Sequence, residues 1–186
     1  MKRYIACFGD SLIYGFPFGK EHSWLAKVNL LAQDVILLNY GECGTTCDDI
    51  LETMKYTVLP EKVHRIIFLG GTNDLLQNRP LRVILSDVEK AITWATDLHY
   101  DFGLVLPWLI AENNINEKVS NLRKQLVRQF GNNCHIFDFQ AAIGLTQQEL
   151  SFNYWDGLHP TAHTYEKIGE YAKPLIEKWL DDRRNS

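Results

Sequence analysis

Five short runs of nearly continuous apolar residues are spread along the chain, and longer stretches with a helical pattern separate them. Runs in which apolar residues do not alternate with polar ones are typical of strands that are covered on both faces. The five predicted strands lie at 4–8, 35–39, 65–69, 102–106 and 135–139. These runs predict a sheet that is buried from both sides.

The segments between the strands place apolar residues three and four positions apart, which is the spacing of one helix face. The clearest stripe covers 81–95 and follows Pro80, while another covers 115–130. Asn114, with Glu117 three residues later, predicts a capping box at the start of the second of these helices. Further helical patterns cover 24–31, 46–56 and 165–179. Strands that alternate with helices in this way predict a parallel sheet with helices on both faces.

Length and composition suit a single domain over residues 1–186, because a chain of this size with 46% hydrophobic residues can bury one core. The formal charge of −4 supplies no basic field for nucleic acid or an anionic membrane surface. No apolar run approaches the ~20 residues of a membrane span, and no secretion-signal pattern is present. We therefore expect a cytoplasmic protein without nucleic-acid or membrane partners; the composition carries no signal for an oligomeric state.

The four cysteines do not predict a metal centre. Cys43 and Cys47 are four residues apart, but no Cys-x-x-Cys pair or nearby histidine completes a zinc site around them. Cys7 and Cys134 lie in apolar runs, where a cysteine is usually a small buried residue. We expect no bound metal.

Residues that can carry out hydrolysis lie in the segments that follow the predicted strands. Ser11 comes just after the first strand, and Asp156 and His159 lie three residues apart in a loop before the last helix. A serine hydroxyl needs a base to take its proton, and a histidine does this when a carboxylate fixes its tautomer. Because ligands of parallel sheets bind at the carboxyl ends of the strands, we expect these three side chains to meet there as a catalytic triad.

Hydrolysis of an acyl group also needs hydrogen-bond donors for the oxyanion of the tetrahedral intermediate. Three groups near the strand ends can supply them: the backbone N–H of Ser11, the backbone N–H of Gly44 and the side-chain amide of Asn73. A glycine at position 44 lets the substrate oxygen approach the main chain without a side chain in the way. These three groups are the predicted oxyanion hole.

Four blocks of the chain, taken in order, resemble the GDSL/SGNH hydrolase family. The blocks are Gly-Asp-Ser-Leu at 9–12, a glycine-rich segment at 39–46, Gly-Thr-Asn-Asp at 71–74 and Asp-Gly-Leu-His-Pro at 156–160. The four residues of the family name fall here on Ser11, Gly44, Asn73 and His159. The resemblance implies a three-layer α/β/α sandwich with five parallel strands, a flavodoxin-like architecture called the SGNH hydrolase fold. It also implies hydrolysis of a small-molecule ester or thioester through an acyl-serine, without metal or cofactor.

The same residues allow other interpretations. Ser11 can be the N-cap of a helix, and His163 is a rival base four residues beyond His159. The alternative class of function is a non-catalytic, flavodoxin-like module that binds a nucleotide or an acylated ligand. Residues 15–21 approach a phosphate-binding loop, but the two glycines are one residue too close and a glutamate replaces the serine or threonine. We favour the hydrolase because every group that the reaction needs is present.

Aromatic residues are concentrated in the predicted strand-end loops. Tyr14, Trp108, Tyr154 and Trp155 are the candidates to line a pocket for the acyl or leaving group of the substrate. The alternative is that several of these aromatic residues belong to the core. The short chain has no evident long insertion to cover this pocket. The sequence therefore predicts an open site that accepts short acyl chains.

Overall fold

Five parallel strands form the sheet at the centre of the computed structural model, which describes residues 2–182 except for the side chain of Asn113. The strands are β1 (Arg3–Gly9), β2 (Val35–Gly41), β3 (Val63–Leu69), β4 (Asp101–Val105) and β5 (His135–Phe137). They are ordered β2-β1-β3-β4-β5, and every neighbouring pair is parallel. The direction in which strands are added reverses at β1, so a ligand crevice is expected beside its carboxyl end.

Helices cover both faces of this sheet. They are α1 (Ser11–Tyr14), α2 (Trp24–Leu31), α3 (Cys47–Tyr56), α4 (Thr72–Leu76), α5 (Leu81–Asp97), α6 (Asn116–Phe130), α7 (Gln140–Ile143), α8 (Gln147–Asn153) and α9 (Ala162–Asp181). The helices α2, α7 and α9 pack together, while α3, α5 and α6 pack in sequence as a second group. The predicted α/β/α sandwich with a five-stranded parallel sheet is therefore confirmed.

The strand predictions are confirmed with small differences at the ends. The strand β5 is shorter than predicted, because it ends at Phe137 although the apolar run continues to Phe139. The chain turns there because Oδ1 of Asp138 accepts the backbone N–H of Gln140, at the start of α7. Phe139, the apolar residue that follows the strand, is fully buried in the core, so the apolar run is longer than the strand itself.

The predicted capping box of α6 is wrong. The helix begins at Asn116, and its N-cap Ile115 makes no side-chain hydrogen bond, so Asn114 and Glu117 do not cap it. The side chain of Asn116 instead bonds to both the N–H and the carbonyl of Ile110. These bonds tie the start of α6 to the segment that follows β4, and a short 3-10 turn takes the place of the predicted cap.

Helix α9 is the longest helix within residues 2–182, and it continues through Pro174. No helix in that range is long and apolar enough to cross a membrane.

Candidate active site

Ser11 is the first residue of α1 and lies just beyond the carboxyl end of β1. The N-cap of this helix is Asp10, whose Oδ1 accepts the N–H of Leu12 at 2.9 Å. The interpretation of Ser11 as the N-cap is therefore wrong by one residue. Because Asp10 does the capping, the hydroxyl of Ser11 is left for another partner.

That partner is His159, at the other end of the chain. Nε2 of His159 lies 3.0 Å from Oγ of Ser11, and Nδ1 of the same ring lies 2.7 Å from Oδ2 of Asp156. The rival His163 is exposed in the first turn of α9. The structure thus brings the three predicted triad residues into one hydrogen-bonded line.

The second oxygen of the Asp156 carboxylate is also bonded. Oδ1 accepts the backbone N–H groups of Leu158 at 3.0 Å and His159 at 2.7 Å. Partial burial raises the pKa of this carboxyl, but the bonds from the His159 ring and from the two N–H groups outweigh that effect and hold the pKa below its usual value. Asp156 is therefore ionised at neutral pH and can hold Nδ1–H of the imidazole.

The loop that carries Asp156 and His159 is closed at its base and fixed at its tip. An isolated antiparallel bridge joins its ends, Tyr154 and Pro160. At the tip, Gly157 adopts a left-handed conformation (φ +88°), and its carbonyl accepts the N–H groups of Ala111 and Glu112. The segment after β4 thus holds the histidine loop in place, which the sequence did not indicate.

Phe16 contacts the imidazole directly, and the four family blocks do not include it. The centroids of the Phe16 and His159 rings are 4.6 Å apart, with the ring planes inclined by 56°. The carbonyl of Phe16 accepts the hydroxyl hydrogen of Tyr165, on α9, at 3.0 Å. The position of Phe16 after β1 was the only sequence signal for this contact.

Two of the predicted oxyanion donors, Gly44 and Asn73, are joined through Thr45. Nδ2 of Asn73 donates one hydrogen to the carbonyl of Thr45 at 2.9 Å, which leaves the second hydrogen of this amide for a substrate. Gly44 is left-handed (φ +82°), and a Cβ added there would meet no atom within 4 Å. By contrast, a Cβ at Gly41 would lie 2.3 Å from the backbone nitrogen of Tyr14. The glycine that borders open space is therefore Gly44.

The third predicted donor is the N–H of Ser11 itself. Ser11 opens α1, and the leading N–H groups of a helix have no partner within the helix. Such N–H groups favour negative charge. An oxyanion can therefore be bound at this point.

Two of the four predicted pocket aromatics belong to the core. Trp108 has no exposed surface, and Tyr154 is nearly buried, with its hydroxyl donating to the carbonyl of Leu109 at 2.6 Å. The expectation that these two line a pocket is corrected accordingly. Trp155, which is 60% exposed, and the half-buried Tyr14 are the two whose side chains a ligand can reach.

The lysine of segment 15–21, which is similar to a phosphate-binding loop, is engaged in contacts within the protein. Nζ of Lys20 donates to the carbonyl of Asn39 at 3.0 Å and lies 5.7 Å from the centre of the Tyr14 ring. Among residues 2–182, no group of three or more His, Cys, Asp or Glu side chains is arranged to hold a metal ion.

The carboxyl of Asp10, next to Ser11, is almost completely buried. Burial raises its pKa to about 7, and the charge of Asp74 adds to the rise, while the hydrogen bond from Leu12 opposes it. In the unfolded chain the same carboxyl has a pKa near 3.8. Between these two values the folded protein holds a proton that the unfolded chain releases, so the contribution of Asp10 to stability falls as the pH rises from about 4 to about 7.

Asp10→Asn is expected to gain stability relative to the wild type as the pH rises from about 4 to about 7, because asparagine stays neutral and still accepts the Leu12 N–H. Urea denaturation of both proteins across this range measures the difference. The same substitution at Asp97, exposed at the end of α5, is the control. A difference that does not change with pH contradicts the prediction.

A serine, a histidine and an aspartate linked in this order at the strand ends form the arrangement of a serine hydrolase. The model of the GDSL-like lipase/acylhydrolase family matches residues 7–167. The chain belongs to this family, and it is a carboxylic ester hydrolase.

Individual relatives are similar to this chain over most of its length. An arylesterase from Vibrio mimicus is 25% identical over 178 residues, which are 92% of this chain and 87% of that protein. A member of the lipolytic protein G-D-S-L family from Veillonella parvula has a structure with a TM-score of 0.82 and 21% identity, covering 94% of this chain and 98% of its own. A psychrotrophic esterase from Pseudoalteromonas sp., inhibited by monoethylphosphonate, has a TM-score of 0.79 and 18% identity, covering 97% and 100%. The two structures show that the fold is shared.

Proposed function

We propose that this hydrolase cleaves small carboxylic esters through an acyl-serine intermediate. Oγ of Ser11 attacks the acyl carbon while its proton passes to Nε2 of His159, and Asp156 stabilises the imidazolium that forms. The carbonyl electron pair moves to the oxygen, which becomes an oxyanion. The N–H of Ser11, the N–H of Gly44 and the amide of Asn73 donate to it.

Collapse of this intermediate breaks the bond between the acyl carbon and the leaving oxygen, or the leaving sulfur of a thioester. The leaving group takes the proton from His159 and departs. Water then attacks the acyl carbon on Ser11 while His159 takes a proton from the water. The bond between the acyl carbon and Oγ breaks, the carboxylic acid departs, and His159 returns the proton to Oγ. Side chains and main chain of this protein supply all the groups in the scheme.

The proposal rests on the two hydrogen bonds that link the triad. Oγ of Ser11 lies 3.0 Å from Nε2 of His159, and Nδ1 of His159 lies 2.7 Å from Oδ2 of Asp156. A carboxylate on Nδ1 keeps the proton of a neutral imidazole on that nitrogen and leaves Nε2 as an acceptor facing the serine. This tautomer is the one that can take the hydroxyl proton. A module that only binds its ligand has no need of such an arrangement.

We further propose that the substrates carry short acyl chains, and that aryl esters are among them. A long acyl chain needs an apolar channel, but two of the four aromatic residues that the sequence suggested for the pocket, Trp108 and Tyr154, are buried in the core. The space beside Gly44 is open. The arylesterase from Vibrio mimicus supports the choice of an aryl leaving group.

A series of p-nitrophenyl esters of increasing chain length tests this proposal on the purified wild-type protein. We expect the highest kcat/KM for the acetate or the butyrate and a value at least about tenfold lower for the octanoate, because Trp108 and Tyr154 are buried in the core and do not line a channel for the longer chain. Acetyl-CoA in parallel tests a thioester. A preference for the octanoate contradicts the proposed acyl size, and no hydrolysis of any ester contradicts the proposed function.

A further inference from the structure

Two neighbouring side chains hold the loop between β2 and α3 against the start of α4. Nδ2 of Asn73 donates to the carbonyl of Thr45 at 2.9 Å, and Oδ2 of Asp74 accepts the backbone N–H of Cys47 at 3.0 Å. The two contacted residues come one and three positions after Gly44. These bonds therefore determine where the Gly44 peptide lies relative to the Asn73 amide, two of the three groups proposed to bind the oxyanion.

Arg79 in turn holds Asp74. The carboxylate of Asp74 is completely buried, and its Oδ1 accepts a hydrogen bond from Nη1 of Arg79 at 2.6 Å. Burial raises the pKa of Asp74, while the N–H of Cys47 and the guanidinium of Arg79 both oppose that rise. Without the arginine, Asp74 would be a buried carboxylate with no cation beside it. Such a carboxylate is strongly disfavoured.

The same guanidinium reaches two more helices. Nη1 also lies 2.5 Å from Oδ1 of Asp48, in the first turn of α3, and Nη2 lies 3.0 Å from Oδ2 of Asp87, on α5. The planar fork of one arginine thus joins α3, α4 and α5. Asp48 follows Cys47 directly, so Arg79 holds the start of α3 through two adjacent residues.

An arginine in another ion pair shows what a purely structural role looks like. Arg65 has nearly the same side-chain exposure as Arg79, 19% against 21%, and its Nε lies 3.0 Å from Asp101. The two residues of this pair are aligned partners on β3 and β4, which the sheet already joins. Arg79 differs because its partners lie on three separate helices, one of which follows the loop that carries Gly44.

We propose that Arg79 is a positioning residue for the oxyanion hole. It holds Asp74 and Asp48, and these hold the start of α3 and with it the loop between β2 and α3. The loop places the N–H of Gly44 so that it points at the same oxygen as the amide of Asn73. Arg79 touches no substrate and acts only through this loop. The inference rests on the proposed function, because it assumes that Gly44 and Asn73 bind an oxyanion.

A double-mutant cycle tests this role with p-nitrophenyl acetate. We expect Arg79→Met to lower kcat by about tenfold with KM changed by less than about twofold, because the interaction is lost in the transition state. Asn73→Ala, which removes a donor, is expected to lower kcat by ~10². Asn73→Ala also removes the bond to Thr45, so the segment that Arg79 holds is already released in this variant. The double variant is therefore expected to lose ~10² rather than the ~10³ of independent effects. Arg65→Met is the matched control and is expected to keep the wild-type kcat.

Three results would overturn the proposal: a folded Arg79→Met protein with wild-type kcat, a raised KM at unchanged kcat, or losses in the double variant that multiply to ~10³. If Arg79→Met fails to fold, the double-mutant cycle is repeated with Arg79→Lys, because lysine keeps the positive charge but not the planar guanidinium that binds several carboxylates at once. Ser11→Ala separates the two proposals. Full activity in that variant removes the proposed function, whereas an inactive Ser11→Ala beside an unaffected Arg79→Met removes only the role of Arg79.

Discussion

Ser11→Ala is expected to lose at least ~10⁴-fold in the rate of p-nitrophenyl acetate hydrolysis while keeping its fold and thermal stability. The loss is large because no other nucleophile is proposed to replace the hydroxyl. The fold is expected to persist because Asp10, not Ser11, caps α1. Steady-state kinetics, circular dichroism and thermal unfolding of the variant measure the three quantities.

Ser23→Ala is the matched control for this substitution. The hydroxyl of Ser23 is buried, donates to the carbonyl of Lys20 at 2.7 Å and caps α2 by accepting the N–H of Ala26. Its removal is expected to cost about 1 kcal/mol of stability and to leave kcat unchanged.

A fluorophosphonate should label the wild-type protein on Ser11 and leave Ser11→Ala unlabelled. A covalent adduct mapped to another residue would refute the assignment of the nucleophile.

Asp156→Asn is expected to lower kcat by about 10³- to 10⁴-fold with little change in the fold. Asparagine can keep Oδ1 on the N–H groups of Leu158 and His159, so the loop retains its backbone bonds. The amide group, however, replaces Oδ2 and would donate to Nδ1 of His159. The imidazole proton would then move to Nε2, which could no longer accept the proton of Ser11.

The loss in Asp156→Asn is expected across the neutral pH range, because the bonds to His159 and the backbone keep the pKa of the wild-type carboxyl low and the group ionised. Asp138→Asn provides the comparison. Like Asp156, Asp138 accepts hydrogen bonds from a side chain, that of Arg123 at 2.6 Å, and from the backbone, the N–H of Gln140. It is expected to keep the wild-type kcat. If Asp156→Asn keeps kcat within about threefold, the carboxylate does not set the tautomer of the base.

The sheet could be predicted because its signal is local. Each strand is a run in which consecutive residues are apolar, and this alone indicates that both faces of the strand are buried. All five runs were confirmed as strands. The short helices gave no such signal. α1 and α7 have four residues and α4 has five, which is too few for an amphipathic period to appear.

The aromatic residues show the limit of composition as evidence. Trp108 lies in the segment after β4 and Trp155 in the loop between α8 and α9, yet the first is fully buried and the second is 60% exposed. A tryptophan suits either place, because its ring is apolar and its N–H can face water. Only the packing of neighbours from distant parts of the chain separates the two cases.

By itself, the sequence determined which kinds of side chain stand at the strand ends, and so the class of chemistry that this protein can perform. The tertiary structure alone decided the distances, because Ser11 and His159 are 148 positions apart and meet only when the sheet and α9 are assembled. It also decided the contacts of Arg79 with Asp48, Asp74 and Asp87, since no pattern relates residues on three helices. Periodicity and motifs report on near neighbours along the chain, whereas the geometry of a site depends on packing across the whole fold.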